Sequence, residues 1–240
     1  MTKVHVLQPE DLYASAAAHV AARAEDSIRA SGRFAIALTG GESPGRLYHT
    51  LAAQYRERTD WSRWHVFWGD ERCVPPEDTA SNYRLARETL LSHVPIPEEN
   101  IHRIHGEEDP HGAAASYERE IRSVFGEAPP AFDLILLGMG ADGHVASLFP
   151  GSRALQERER LVVANFAPEM KTWRVTFTFP LLNQAKEVLF LVVSPEKRDA
   201  LHAALKPGIA PVPAAYVRPM SGEVHWYVTP DLGLDEAVAA

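Results

Sequence analysis

Short apolar runs alternate along the chain with longer stretches of mixed apolar and polar residues, and this alternation predicts strands followed by helices. Residues 4–7 form a short apolar strand. Pro9 and Glu10 then open an alanine-rich helix that Gly32 ends, since proline suits a first helical turn and glycine a helix exit. Phe34-Ala35-Ile36-Ala37-Leu38 is apolar at every position, the pattern of a strand covered on both faces. Thr39-Gly40-Gly41 breaks it, and Ser43 with Pro44 reads as N-cap and first-turn residue of a helix to about residue 55. Residues 64–68 give the next strand. A polar, proline-containing loop follows, and Ser81 caps a helix to about residue 92. Asp109-Pro110 opens a further helix that Gly126 closes. Residues 132–137 are the most apolar strand of the chain; 161–164, 174–179 and 188–193 are further strands, 195–205 a helix and 224–228 a final strand. Such alternation implies an α/β fold with a mostly parallel, Rossmann-like sheet and helices on both faces. No repeat, low-complexity tract or linker divides it. The proline-rich stretch 207–213 reads as a surface loop, so residues 1–240 are expected to form a single domain.

Composition narrows the setting. The 240 residues are 45% hydrophobic and 23% charged, enough to bury a full core and too apolar for disorder. Lys and Arg number 24 against 32 Asp and Glu, a net charge of −8. General nucleic-acid binding is therefore not expected, and an anionic ligand must be held by a few local cations and backbone amides. The single cysteine, Cys73, excludes an intramolecular disulfide, which fits a reducing compartment. The first residues carry no apolar signal core, and no stretch approaches ~18 apolar residues. A cytoplasmic chain without membrane contact is expected, as a monomer or small homo-oligomer.

In parallel sheets ligands bind beyond the carboxyl ends of the strands, which selects three loops. In the first, Leu38-Thr39-Gly40-Gly41-Glu42-Ser43-Pro44, two glycines allow close backbone approach, and the following helix offers free N–H groups and a positive dipole end, a setting for phosphate. A plain strand-to-helix turn with a capping serine is the competing reading, and Glu42 opposes phosphate unless it points away. In the second, Trp68-Gly69-Asp70-Glu71-Arg72-Cys73, Arg72 can hold phosphate or carboxylate with its planar fork, and Asp70 can bind hydroxyls or orient a neighbour; a solvated charge cluster is the alternative. The apolar, proline-rich continuation after Cys73 suits a small buried side chain better than a nucleophile.

The third loop, Leu137-Gly138-Met139-Gly140-Ala141-Asp142-Gly143-His144, matches G-x-G-x-x-G after a strand. A dinucleotide site is rejected because the match lies in mid-chain, Asp142 would face the pyrophosphate, and no acidic strand end follows about 20 residues later. What remains is Asp142 and His144 on a glycine-lined backbone at a strand end, a pairing suited to proton transfer near neutrality. His102, His105 and His111 with Glu107, Glu108 and Asp109 imitate a ligand cluster, but their spacing is irregular and the acidic residues belong at a helix start. No metal and no cofactor is expected.

These stretches, together with Ser81-Asn82-Tyr83, the continuation Val145-Ala146-Ser147-Leu148-Phe149-Pro150, Arg174-Val175-Thr176, residues 194–197 and residues 218–226, make the chain resemble the 6-phosphogluconolactonase family from about residue 34 to 228. Departures are small: Glu42 stands where a smaller residue is usual, and Ser194 where glycine is common. The resemblance implies a fold of the glucosamine-6-phosphate deaminase and ribose-5-phosphate isomerase type. It implies cofactor-free hydrolysis of a small sugar phosphate lactone, 6-phosphogluconolactone, in the oxidative branch of the pentose phosphate pathway. It also implies His144 as general base and Asp142 and Asp70 as site carboxylates. Arg72, Arg174 and Lys197 would be cations around the substrate, beside the loop of Thr39, Gly40, Gly41 and Ser43. A glucosamine-6-phosphate deaminase would need a glutamate where Phe149 stands. A non-catalytic sugar-phosphate sensor would carry an added DNA-binding segment, whereas residues 1–33 read as a strand and an alanine-rich helix.

Overall fold

A computed structural model of the chain describes residues 1–168, 170–206 and 211–234. Its elements follow as β1 (Thr2–Val6), α1 (Pro9–Ser31), β2 (Phe34–Leu38), α2 (Glu42–Tyr55), β3 (Trp64–Trp68), β4 (Asp70–Arg72), α3 (Asn82–Thr89), α4 (Pro110–Phe125), β5 (Leu134–Leu137), β6 (Val162–Ala167), β7 (Thr172–Phe177), α5 (Phe179–Leu182), β8 (Glu187–Val192), α6 (Arg198–Leu205) and β9 (Glu223–Val228). Six strands form one sheet in the order β1-β9-β8-β5-β2-β3, with every neighbouring pair parallel. Every residue of β2, β5 and β8 is buried, so both faces of the sheet are covered, as their unbroken apolar runs require. Among the described residues no helix is long and apolar enough to cross a membrane.

Local signals place most boundaries. Gly32 ends α1 in the left-handed conformation at φ 77°, its N–H bonded to the Ile28 carbonyl. The Asp109 side chain accepts from the Gly112 N–H at the start of α4, and Ser81 accepts from Arg84 N–H at the start of α3. Two expectations are corrected. Helix α2 begins at Glu42 with Gly41 as its cap at φ 108°, so Ser43 lies inside the first turn and caps nothing. Only glycine tolerates that backbone readily, and the glycine pair turns the chain into the helix before Ser43 is reached. The helix foreseen over 195–205 starts as a 3-10 turn, Pro195–Lys197, and becomes α-helical at Arg198. Of the foreseen loop 207–213, residues 207–210 lie outside the described residues, and Pro213 opens a short 3-10 turn.

The larger difference is in sheet membership. Strands β6 and β7 leave the parallel sheet and form a separate antiparallel sheet with β4, in the order β4-β7-β6. A strand at Asp70–Arg72 was not foreseen, because three charged residues carry no apolar signal. Phe166 and Trp173 are exposed at one end of the β6–β7 ladder, whereas Val162, Val175 and Phe177 on the same face are buried.

Buried hydroxyls and one carboxylate tie the strand ends to the helices. The Tyr48 hydroxyl of α2 accepts from Thr39 N–H at 2.9 Å and donates to the Thr39 carbonyl at 2.7 Å. The Tyr117 hydroxyl of α4 accepts from Trp68 N–H at 2.8 Å. Glu71, 2% exposed, accepts from the backbone N–H groups of Arg72, Asn82 and Tyr83 at 2.7–2.8 Å and from the Ser81 hydroxyl at 3.0 Å. Burial pushes its carboxyl above the usual range, and the three N–H groups oppose that shift. Glu71 thus fastens β4 to the first turn of α3. Glu71→Ala leaves these donors without an acceptor, and urea denaturation should show a loss of about 3 kcal/mol. Glu71→Gln keeps an acceptor oxygen and should lose less; a loss below about 1 kcal/mol for the alanine variant would refute this role.

Candidate active site

After β2 the chain moves to β3 on one side of the sheet, whereas after β5 it reaches β8 and then β9 on the other. The sheet therefore has its topological switch between β2 and β5, and the loops that follow these strands flank an open crevice. A cleft of about 270 Å³ occupies that position. Its walls include the loop of Thr39, Gly40, Gly41 and Ser43, then Asp70 and Arg72 from β4, Asn82 from α3, Gly138, Gly140 and His144 after β5, and Lys197 before α6.

The loop after β5 is closed by backbone bonds from Gly140 N–H to the His144 carbonyl and from Gly143 N–H to the Gly140 carbonyl, both 3.0 Å. A Cβ on Gly140 would lie 2.2 Å from His144 Nδ1 and 2.5 Å from Asp142 Oδ1, so glycine is the residue that lets imidazole and carboxylate fold over the loop. Asp142 Oδ1 accepts from His144 N–H at 3.1 Å and meets His144 Nδ1 at 2.6 Å. With the Nδ1 proton donated to that carboxylate, the lone pair of the ring falls on Nε2. His144 lines the cleft; Asp142 does not and stands behind the imidazole. The Phe149 ring packs on His144 with centroids 4.7 Å apart. Ala146, on the cleft wall, holds φ 47°, a strained backbone for a residue with a Cβ.

Asp70, 6% exposed, accepts from the Ser147 hydroxyl at 2.7 Å and from Asn82 Nδ2 at 3.2 Å. Ser147 is held in turn: its N–H reaches Thr176 Oγ1 at 3.1 Å, and its carbonyl accepts from Asn165 at 2.8 Å. Asn82 also donates to the Asp70 carbonyl at 2.8 Å, while its own Oδ1 is buried without a hydrogen-bond partner. A Cβ on Gly40 would meet that oxygen at 1.8 Å, so the first glycine loop and α3 are in direct contact. Asn82 and Ser147 are the site residues that reading from the sequence did not single out. Both lie in motif stretches, and only their contacts reveal them.

The cations are arranged unequally. Arg72 reaches the Ala80 carbonyl with one nitrogen and lines the cleft, as does half-buried Lys197; among the described residues neither forms an ion pair within 4 Å. Burial lowers the Lys197 pKa, with Glu196 acting against it. Arg174 lies across from Arg72 in the β4–β7 ladder, is buried, and is not on the cleft wall. Desolvation, then repulsion from Arg72, lowers its pKa. Glu42 pairs with Arg46 Nη2 at 2.9 Å and is 81% exposed in its side chain, so its charge is drawn outward. Helix α2 has no side-chain cap, which leaves its first N–H groups free beside the cleft.

The decoy histidines do not converge. His102 stacks on Phe67 at 4.3 Å and meets Glu120 at 2.8 Å, whereas His111 packs edge-on against Trp173.

A strand-end cleft with an imidazole held by a carboxylate, a buried second carboxylate and two cations that form no ion pair among the described residues has the features of an enzyme site for a small anionic ligand. The chain belongs to the glucosamine-6-phosphate isomerase/6-phosphogluconolactonase family, whose model matches residues 7–226. It is 40% identical over 220 residues to a Nostoc protein named 6-phosphogluconolactonase, covering 89% of each chain. It is 39% identical over 236 residues to the 6-phosphogluconolactonase of Rattus norvegicus, covering 96% of this chain and 90% of that one. The crystal structure of 6-phosphogluconolactonase from Thermotoga maritima superposes with a TM-score of 0.85 at 34% identity, covering 95% of this chain and all of that one.

Cys73 is half-buried next to this site, and burial pushes its thiol up to about 11. Thiolate is then scarce at neutral pH and grows only as pH approaches that value. Alkylation of Cys73 in the native protein should be at least about tenfold slower at pH 8 than in the urea-unfolded chain; equal rates would refute this protection.

Proposed function

We propose that the chain hydrolyses 6-phospho-D-glucono-1,5-lactone to 6-phospho-D-gluconate, with His144 as general base. The observation that carries the reading is the 2.6 Å contact between Asp142 and His144 Nδ1; with the Nδ1 proton in that bond, neutral imidazole offers its Nε2 lone pair to a cleft that also holds two cations. A δ-lactone is an activated ester, so water can attack C1 directly. Nε2 takes the proton of that water as the C1–O bond forms, and the carbonyl oxygen becomes an oxyanion. A loop N–H or a nearby cation stabilises it, at ~2.7–4 kcal/mol for a good donor. Collapse breaks the bond from C1 to the ring oxygen, and the imidazolium returns its proton to that oxygen. Asp142 keeps the ring in the working tautomer. Asp70, fixed by Ser147 and Asn82, is available to the sugar hydroxyls, and Arg72 and Lys197 with the α2 N-terminus hold the phosphate. Arg174, beside Arg72 in the ladder and off the cleft wall, adds positive charge near the site rather than touching substrate. In this reading Phe149 shields the imidazole and offers no second proton relay, which argues against deaminase chemistry.

His144→Asn keeps a polar side chain but no base. Turnover of freshly generated lactone, followed by acid release above the spontaneous rate, should fall by about 10²–10⁴-fold. Near-normal turnover would leave His144 a positional residue. Arg72→Ala should cut kcat/KM by about 10–100-fold on the phosphorylated lactone and far less on glucono-δ-lactone. Equal losses on both substrates would move Arg72 to the carbonyl or to the fold.

A further inference from the structure

Away from the cleft, one face of the sheet gathers a second group of imidazoles. Side chains two residues apart on a strand share a face, so Glu223, His225 and Tyr227 of β9 and Lys3 and His5 of β1 stand together, because these strands pair with Lys3 opposite His225 and His5 opposite Tyr227. Glu187, the first residue of β8, is opposite Glu223. Helix α1 brings His19 and Arg23 onto the same group. Among the described residues, His5, His19 and His225 form the one set of three or more potential ligands whose donor atoms lie within 4.8 Å of one another.

The orientation of the rings is what a metal site needs. His19 Nδ1 is held by the Tyr227 hydroxyl at 2.9 Å, which leaves Nε2 turned towards Glu187. His225 Nε2 meets Glu223 at 3.2 Å, which leaves Nδ1 facing His5 Nε2 at 3.0 Å. Ligating imidazoles commonly have the outer nitrogen bonded in this manner, which fixes the ring and aims the inner nitrogen. Nitrogens on a tetrahedral zinc with bonds of ~2.0–2.1 Å stand about 3.3 Å apart, so small side-chain rotations suffice to close the set. Glu187, 6% exposed, has Oε1 in contact with the inner nitrogen of His19, Nε2, and 3.8 Å from the outer nitrogen of His225, so the contact with His19 is what brings it to the group as a carboxylate ligand. Arg23 stands 3.6 Å from its other oxygen, and Lys3 pairs with Glu223 at 2.8 Å.

We infer that His5, His19 and His225, with Glu187 as fourth ligand, form a structural site for a divalent transition-metal ion of the zinc type. Imidazoles with one carboxylate suit zinc, nickel or copper rather than calcium or magnesium. The ion would clip β1, which has a single neighbour in the sheet, to α1, β8 and β9. It takes no part in turnover, since none of His5, His19, Glu187 and His225 lines the cleft.

The test uses the full chain, stripped by dialysis against a chelator and then titrated with Zn²⁺, with Co²⁺ as a spectroscopic probe. Stripped protein should retain its turnover, take up one equivalent of Zn²⁺ that survives gel filtration, and show a tetrahedral visible band with Co²⁺. At a hundredfold excess over Kd, Tm should rise by about 5 °C or more. His19→Ala and His5→Gln, both at half-buried positions, should lose the equivalent, the band and the rise in Tm while keeping turnover; circular dichroism checks that each is folded. His144→Asn should keep all three. The inference is overturned if the parent protein binds no such equivalent, which would make the group a hydrogen-bonded network only. It is equally overturned if folded His19→Ala retains the ion, or if the ion is lost with His144→Asn instead.

Discussion

Strands β2 and β5 run parallel and side by side, and the chain leaves them in opposite directions. No crossover can then cover the gap between their carboxyl ends, and the two glycine loops that follow are forced to face each other. The other parts of the site are attached to that crevice. Helix α2 points its uncapped start into it, β4 crosses its far side, and the turn before α6 closes it with Lys197. The small antiparallel sheet exists at this edge because Gly69 links the two sheets: its N–H bonds the Leu38 carbonyl at 2.9 Å, and its carbonyl accepts from Phe177 N–H at 2.8 Å.

Polar groups buried around the crevice hold the geometry that the apolar core cannot specify. Hydrophobic contact is non-directional, whereas a buried carboxylate without its donors is costly. Asp70 and Glu71 are adjacent in β4 and face different partners: Asp70 is held by Ser147 and Asn82, and Glu71 by the start of α3. The pair therefore fixes β4, α3 and the β5 loop in one arrangement. Strain is accepted at the same place, with Ala146 at φ 47° on the cleft wall.

Charge is distributed locally rather than globally. The chain carries a net −8, yet its cleft presents Arg72 and Lys197 beside the carboxylates Glu42, Asp70 and Glu196, of which Glu42 pairs with Arg46. Desolvation lowers the pKa of Lys197 and of Arg174, the sign of cations taken out of water. Local cations and helix N–H groups of this kind are what an acidic protein can offer an anionic ligand.

Sequence alone determined what depends on neighbours in the chain. The apolar run of β2, the Gly32 exit of α1 and the Asp109 start of α4 are short-range choices of backbone and cap, and the structure repeats them. The Asp142–His144 pair was legible for the same reason, being two residues apart on a glycine loop. Even a local reading failed where two signals competed, as at Gly41 and Ser43, where positive φ overrode the capping hydroxyl. Tertiary structure decided whatever depends on strand order and register. It paired Asp70 with Ser147 across 77 residues and brought His5 to His225 across 220. It drew β6 and β7 into a second sheet with β4, and it set Arg174 beside Arg72 in the ladder and off the cleft wall. Periodicity reports which face of an element is buried, but not which distant element covers it; that follows only when the strands have been ordered and their register set.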